Sequence, residues 1–266
     1  MPSTNVKQIT RAEFTNVDAY QQIVQCKQPI LIKQLVNDQS LEQLLINEKQ
    51  QLKPLYSRGA VPFLYLYFDN ETLRKAIFSL PIVQSLVQHK HTKFRSAMRL
   101  WQHKSGHISP LHYDQRSTDL LNLCVHGEKR WLFAPPTAKL NCWPFFNIAL
   151  PWQTHRNIEW QTVTMNAGDL LYIPRNWFHQ VLTTQDDTRN INLIFNDLSD
   201  SVIADRELEL AAMRSAIIPN YIYGDNIPVL NQAIQQVSKR RMLKRFIIEM
   251  RFIILLIGLA ILIYQL

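Results

Sequence analysis

The chain has 266 residues, and its hydrophobic fraction of 47% fits one ordinary domain with a real core and excludes a disordered or fibrous protein. Three cysteines, an odd number without a CxxC pair, exclude a disulfide scaffold, give no sign of a zinc site and favour a reducing compartment. Six basic residues and one acid between Lys239 and Arg251 supply +5 of the net charge of +8, so the remaining +3 makes nucleic-acid binding by the folded body unexpected.

The first part of the chain, residues 1–97, is predicted to mix helices and strands that flank the main sheets. Its opening segment, MPSTNVKQITRAEF, lacks the apolar stretch of a secretory signal peptide. Helical spacing of apolar residues, β-prone runs and a helix-breaking proline predict five elements. They are a helix at 12–25, a strand at 29–36, a helix at 40–52 and, after the aromatic strand PFLYLYF (62–68), a helix over 71–89 that breaks at Pro81.

The second part, residues 98–200, changes character. It consists of short β-prone runs separated by turn residues, and so many short strands in about a hundred residues predict a sandwich or barrel. The runs are MRLWQH, LLNLCVH, KRWLFAPP, TVTMNA, DLLYIP, HQVLTT and NINLIFN. Trp101, Trp131 and Trp177 are expected in the core of this barrel.

The third part, residues 201–245, returns to helical patterns, and the chain ends in an apolar tail, 246–266. Every residue from Phe252 to Tyr264 is apolar or glycine except the closing tyrosine. A bilayer core needs about 20 residues, with a lower limit near 17, so the tail spans it if Glu249 and Arg251 lie at the interface. The alternative is a helix packed on the domain or in a dimer interface.

The tail is apolar on all faces, whereas a packed surface helix has one apolar stripe, and this favours a single-pass C-terminal membrane anchor. The basic cluster before it would stay on the cytoplasmic side and could contact anionic lipid. We therefore expect the folded domain to lie in the cytoplasm.

The first chemical motif is His112-Tyr113-Asp114. Residues two apart on a strand project from the same face, so the imidazole and the carboxylate can converge while Tyr113 points away. With a histidine from another strand, they would form a 2-His-1-carboxylate metal site that leaves positions open for substrate and dioxygen. Alone, the tripeptide is equally compatible with a surface strand.

A second motif, GDLLYIPRNWFHQV (168–181), predicts a turn, a buried strand, a bend at the proline and a histidine, His179, that opens the next strand. Read alone, His179, which follows Trp177 and Phe178, would be a core histidine. Another pair, His89 and His91, has polar neighbours and is expected in a surface loop.

Together, SPLHYD, GEKRWLFAPP and GDLLYIPRNWFHQV resemble the JmjC-type cupin hydroxylases, the group that includes the asparaginyl hydroxylase acting on hypoxia-inducible factor. The resemblance covers residues 99–196 and has three blocks in the family's order. It implies a mainly β fold, a double-stranded β-helix (jelly roll) with flanking helices. It also implies an Fe(II) ion held by His112, Asp114 and His179, with 2-oxoglutarate as cosubstrate, and dimerisation through the C-terminal helices.

The resemblance implies cosubstrate contacts as well. Lys129, two residues after Gly127, and Ser109, three residues before the first ligand histidine, would bind the distal carboxylate of 2-oxoglutarate, although Lys129 could instead be a solvated strand residue. Asn122 is a candidate for an early asparagine contact. The late asparagine of the family falls at Ile194, with Asn192 and Asn196 beside it, and we take Asn192 as the candidate.

The sequence thus predicts a membrane-anchored Fe(II)- and 2-oxoglutarate-dependent oxygenase that hydroxylates a protein side chain or a small molecule. A non-catalytic, metal-binding cupin acting as a membrane-anchored binding module is the first alternative. A cupin enzyme of another class is the second, but such enzymes usually add histidine ligands near the first. Tyr65 and Tyr67 could contact the cosubstrate, although core packing is the simpler role.

Overall fold

The computed structural model describes residues 3–10, 19–36, 43, 65–68, 71–94, 98–115, 118–138, 140–151, 158–197, 205–218 and 228–265. The N-terminal part of this set contains short strands and helices. The strands are β1 (Ser3–Asn5), β2 (Lys7–Thr10), β3 (Ile30–Lys33), β4 (Tyr65–Phe68) and β5 (Thr92–Phe94). The helices are a π-helical turn (Tyr20–Val24), α1 (Glu71–Phe78) and α2 (Pro81–Gln88).

Several predicted elements of this part are present, but of the helix predicted at 12–25 the structure describes only residues 19–25, which include the π-helical turn. β3 is the strand expected at 29–36, and α2 begins at Pro81, where the helix break was expected. Proline suits the first position of a helix because the N–H that it lacks would have no helical partner there. The helix predicted at 40–52 lies outside the described residues apart from Gln43.

The central part is built from strands at each of the predicted short runs. The strands are β6 (Met98–His103), β7 (Ile108–His112), β8 (Asp119–His126), β9 (Glu128–Ala134), β10 (Trp160–Asn166), β11 (Leu170–Ile173), β12 (Phe178–Thr183) and β13 (Thr188–Asp197). A short 3₁₀ turn (Pro136–Ala138) follows β9.

Within the described residues these strands form two sheets. The smaller has the order β1-β10-β9-β12-β7, and the larger has the order β2-β3-β11-β8-β13-β6-β4, with β5 also paired to β13. Pairing is antiparallel except for β1 with β10 and β2 with β3. Two facing, mainly antiparallel sheets with flanking helices confirm the predicted jelly-roll class.

The core has two layers because the central strands are buried on both faces. Along β8, Leu120 and Cys124 point between the sheets and meet Trp131, Phe133 and other residues of the smaller sheet. The alternate residues of β8 point to the outer face of the larger sheet, where α1, α2 and the π-helical turn cover them. The inter-sheet layer is where the residues of the predicted site project.

Three helices complete the described chain, namely α3 (Asp205–Ile217), α4 (Pro228–Gln235) and α5 (Lys239–Gln265). α5 is continuous across residues 245 and 246, and it alone among the described helices is long and apolar enough to cross a membrane. Its first half contacts α3, whereas every residue from Ile254 to Tyr264 is exposed.

Candidate metal centre and cosubstrate pocket

Strand register brings the three predicted metal ligands together. His112 at the end of β7 lies directly opposite His179 on β12, and Asp114 follows two residues after His112. One candidate ligand atom from each of the three residues lies within 4.8 Å of the other two. The Nε2 atom of His179 is 4.0 Å from the Oδ2 atom of Asp114. Two imidazoles and one carboxylate around one point are a donor set that suits Fe(II) in an open facial site.

Backbone hydrogen bonds fix the orientation of both imidazoles. The Nδ1 atom of His112 lies 2.7 Å from the carbonyl oxygen of Pro110, and that of His179 lies 3.1 Å from the carbonyl oxygen of Trp177. Since a carbonyl oxygen only accepts, each Nδ1 must carry the proton, which leaves the Nε2 lone pair free in the neutral ring. This is how metal-binding histidines are commonly oriented.

Burial keeps His179 in the form that binds metal. The loss of solvation in the core, together with the neighbouring His112, lowers the pKa of His179 to about 4, although Asp114 acts in the opposite direction. The rings of Trp131 and Phe133 lie beside it, with centroids 5.9 and 6.2 Å away. A metal therefore displaces no proton from this imidazole near neutral pH.

A β-bulge places Ser109 on the same face as the three predicted metal ligands. Residues three apart on a regular strand point to opposite faces, so alternation alone would turn Ser109 away from His112. In β7, however, the three-residue step from Ser109 to His112 lies opposite a two-residue step, from Val181 to His179. The extra residue restores the shared face, and Pro110 lies within this irregular step, where a missing donor is tolerated.

Lys129 projects into the inter-sheet layer and is 4% exposed, so it is not a solvated strand residue. Lys129 pairs with Thr183 on β12. Thr183 follows His179 by four residues, so the two positions are about 13 Å apart along the strand. The ammonium group of Lys129 lies 3.3 Å from the Nδ1 atom of His103. Burial lowers the pKa of Lys129 to about 8.

His103 lies beside the candidate site next to Lys129, and no motif in the sequence singled it out. Burial, reinforced by the charge of Lys129, lowers the pKa of His103 to about 3, so the ring is neutral and its Nδ1 can accept from the ammonium group. Its Nε2 is buried without a partner among the described groups, and His107 stacks on the ring at 4.0 Å. The sequence does show that His103 lies on the same face of β6 as Arg99 and Trp101, because the three residues are spaced two apart along the strand.

A ladder of asparagines lines the opposite wall. Asn122 on β8 is in register with Asn192 on β13, and its side-chain amide donates to the Oδ1 atom of Asn192. Asn190 donates to the Oδ1 atom of Asn122 at 2.7 Å, and the Oδ1 atom of Asn190 is buried without a partner among the described groups. Ile194 faces the same layer but packs in its apolar part. Asn122 and Asn192 therefore lie together, whereas Ile194 offers no polar contact.

The remaining sequence-based expectations have mixed outcomes. Trp131 and Trp177 are core residues as predicted, but Trp101 is only half-buried. His89 is half-buried, not a plain surface residue, because its ring stacks on Tyr20 at 3.8 Å. The side chains of residues 65–68 lie outside the described set, so the contacts proposed for the tyrosines of β4 stay predictions.

Comparisons with known proteins agree with this architecture. The family model of the cupin-like domain matches residues 56–201, which is more than half of the chain. The bifunctional lysine-specific demethylase and histidyl-hydroxylase NO66 of Drosophila persimilis is 36% identical over 75 residues, which are 28% of this chain and 10% of that protein. The lysine-specific demethylase JMJ31 of Arabidopsis thaliana is 29% identical over 106 residues, covering 34% of this chain and 19% of that protein.

The matched segment thus spans at most about a fifth of the length of these relatives. The match to the family model does not depend on that coverage, because it includes all of the central strands and the three converging residues. The chain belongs to the cupin-like family of JmjC-type proteins.

Proposed function

We propose that the protein is an Fe(II)- and 2-oxoglutarate-dependent dioxygenase that hydroxylates a protein side chain or a small molecule. The observation that carries the proposal is the convergence of His112, Asp114 and His179 with both imidazoles held by backbone carbonyls so that Nε2 faces the common point. When bound, the iron and the oxoacid supply oxidative decarboxylation to succinate coupled to insertion of oxygen into a C–H bond.

The protein's own residues bind and orient the reactants. Lys129 is a buried cation, and its neighbour His103 is neutral, so an incoming carboxylate would give it the charge partner that it lacks among the described residues. Ser109 projects from the same face of the smaller sheet as Lys129. On the larger sheet, Asn122 and Asn192 supply side-chain amide groups. The aromatic residues beside His179 exclude water from this space.

We also propose that α5 anchors the protein in a membrane as a single-pass C-terminal span, with the catalytic domain in the cytoplasm. α5 has 27 residues, about 40 Å of helix, and its last eleven described residues are exposed on every face. Anionic lipid is then one partner and the unknown substrate another, and the family resemblance implies self-association through the C-terminal helices as well. Nucleic acid is not an expected partner.

A test of the anchor uses the full chain. It should resist extraction from membranes by alkaline carbonate and be released by detergent, whereas a variant carrying both Leu256→Arg and Ile261→Arg should become extractable. Extraction of the unaltered chain by carbonate would rule out the span.

A non-catalytic, metal-binding cupin is the second candidate. Ile194 favours it, because this residue packs in the apolar layer at the position where the resembling family has its late asparagine. Such a protein would bind iron but hold 2-oxoglutarate poorly.

One experiment separates these candidates. Fe(II)-loaded protein is titrated anaerobically with 2-oxoglutarate, and the weak visible charge-transfer band of the chelate is followed. We expect a band in the unaltered protein, no iron binding in His179→Ala, and a band in Lys129→Ala only at about 10- to 100-fold higher oxoacid concentration. Arg130→Ala, an exposed neighbour on the same strand, is the matched control and should behave as the unaltered protein. Iron binding without a band in the unaltered protein would select the non-catalytic module.

A further inference from the structure

The first turns of α5 are fixed to the domain by ion pairs. Arg241 binds Glu209 at 3.2 Å and Asp205 at 3.0 Å, and Arg245 binds Glu209 at 2.7 Å. Both acids lie on α3. The segment that leads into the apolar tail is therefore part of the folded body and not a loose tether.

The last fixed point is Glu249, a carboxylate only 3% exposed. It accepts hydrogen bonds from Arg206 at 2.9 and 2.8 Å and from the backbone N–H of Phe145 at 2.8 Å. Glu249 lies three residues before Phe252, where the uninterrupted apolar run begins, which is about 5 Å along the helix. The domain is thus attached to α5 at the level where the proposed membrane span starts.

An apolar patch surrounds this level, and we call it the seating patch. It comprises Phe146, Leu243, Phe246 and Ile247, which are all exposed, Phe146 at 59%. Phe146 belongs to the loop 141–150. Arg206 holds this loop in place by donating to the carbonyl oxygen of Phe146 at 2.7 Å. An exposed aromatic side chain on a clamped turn beside an apolar helix suits the interfacial region of a bilayer.

The unpaired charges near the patch are positive, which is the sign that anionic lipid attracts. The structure divides the basic cluster in two, because Arg241 and Arg245 are paired with acids of α3. Lys244 and Arg251 are exposed and have no ion pair with any described residue. They lie about 12 and 2 Å before Phe252 along the helix, so the nearer lies well within a Debye length of a lipid surface.

We propose that the seating patch is a second membrane contact, which rests in the headgroup region of an anionic bilayer and seats the cupin domain directly on the lipid surface. This rests on the membrane anchor of the proposed function. A second copy of the chain is the competing occupant. It fits less well, because a dimer contact buries one stripe of a helix, whereas α5 is apolar all round beyond the patch and is preceded by unpaired cations.

The same loop joins the seating patch to the metal ligands. Ile148 forms a backbone bridge with His112, and the N–H of Tyr113 donates to the carbonyl oxygen of Asn147 at 3.3 Å. Two residues of chain and one strand spacing put the Cα atom of His112 within about 13 Å of that of Phe146. The metal-binding strand is therefore held at a fixed, short height above the lipid, where it meets groups presented at the membrane surface.

The side chain of Tyr113 strengthens this link. It points away from the metal ligands, as the alternation predicted, and donates from its hydroxyl to Glu207 at 3.2 Å. Arg206 donates to the same hydroxyl at 3.3 Å and also binds Glu249. The metal-binding strand, α3 and α5 therefore share one hydrogen-bonded network.

The test measures the depth of single labels in the full chain reconstituted into vesicles of phosphatidylcholine and phosphatidylserine. In a Cys26→Ser background, a fluorophore that responds to polarity is attached at Phe146→Cys, at Ile261→Cys in the tail, or at Val87→Cys as a control. Val87 is exposed on α2, which covers the larger sheet, away from the loop. The two remaining cysteines are buried and stay unlabelled in the folded protein.

We expect nitroxide lipids labelled near the headgroup to quench the Phe146 label at least 2-fold, nitroxide lipids labelled deep in the acyl chain to quench the Ile261 label, and both to leave the Val87 label unchanged. Adding Glu249→Gln should reduce quenching at Phe146 but not at Ile261. Quenching at Ile261 without quenching at Phe146 would overturn the seating patch and leave the anchor intact. Quenching at neither site would refute the anchor, and with it the patch. The same label can be measured in detergent, without lipid. If the Phe146 label there becomes less accessible to solvent as the protein concentration rises, the patch contacts a second copy of the chain and the proposal is overturned.

Discussion

Replacing Lys129 by methionine should make the protein more stable and impair cosubstrate binding. The ammonium group of Lys129 is buried in the inter-sheet layer, and its neighbour among the described residues is the neutral His103. The fall of its pKa from 10.5 to about 8 corresponds to a cost of about 3 kcal/mol in the folded state at pH 7. Methionine has a similar length and no charge, so it removes this cost.

Part of the gain is lost again, because the Nδ1 atom of His103 loses its donor, which costs about 1–2 kcal/mol. The net expectation is a rise of about 1–2 kcal/mol in the free energy of unfolding at pH 7, measured by chemical denaturation in detergent without cosubstrate. Lys93→Met, an exposed lysine on β5, is the control and should change stability by less than about 0.5 kcal/mol.

The pH dependence follows from the same pKa. Between pH 8 and 10.5 the unfolded chain holds the proton of Lys129 while the folded protein has lost it, so the stability of the unaltered protein rises with pH in this window. The advantage of Lys129→Met should be complete below pH 8 and fade by pH 10.5. In the unaltered protein, the affinity for 2-oxoglutarate should be constant below pH 8 and fall above it.

Addition of 2-oxoglutarate reverses the order, because a ligand stabilises only the protein that binds it. A Lys129→Met variant that is less stable than the unaltered protein at every pH would refute this reasoning. It would mean that the ammonium group already has an anionic partner.

Two other substitutions test the surrounding structure. Gly127→Ala, in the turn before Lys129, should cost about 3 kcal/mol or more, because φ is +81° and the new Cβ would lie 2.9 Å from the Cα atom of Thr188. Gly106→Ala has the same φ with no atom within 4 Å and should cost only about 1–2 kcal/mol, so equal losses in thermal denaturation would contradict the clash. Arg175→Leu should cost about 3–5 kcal/mol at pH 7, since it leaves the buried Asp119 carboxylate without the guanidinium 2.9 Å away. Burial raises the pKa of Asp119, so the loss should shrink as the pH falls and that carboxylate takes up a proton. Denaturation at pH 7 and at a lower pH measures the change, and an equal loss at both would contradict it.

The sequence predicted the strands and the metal ligands because both depend on local patterns. Short β-prone runs between turn residues located the central strands, and the HxD spacing placed His112 and Asp114 on one face. The HxD spacing could not identify His179, which lies on another strand. His179 was predicted as the third ligand because three motif blocks occur in the order of the family. The roles of these residues as ligands stay predictions, although their geometry agrees with them.

What the sequence did not predict depends on contacts between distant segments. Alternation alone turns Ser109 away from the site, and only the pairing with β12 reveals the bulge that turns it back. Counting from His179 gave Ile194, and Asn192 was chosen as a neighbouring asparagine; that it lies opposite Asn122 follows only from the register of β13 with β8. His103 has no motif of its own, and its role depends on a lysine from the opposite sheet.

The use of backbone carbonyls to hold both histidines has an electrostatic consequence. Because these carbonyls carry no net charge, Asp114 is the only anion among the three converging residues, and a divalent metal there would keep a net charge of +1. A protonated Lys129 adds a second positive charge farther along the same strand pair. The two charges together match a molecule with one carboxylate at each end, so a dicarboxylate neutralises the site while a monocarboxylate leaves one buried cation uncompensated. Selection between these two kinds of acid can thus arise from charge balance alone.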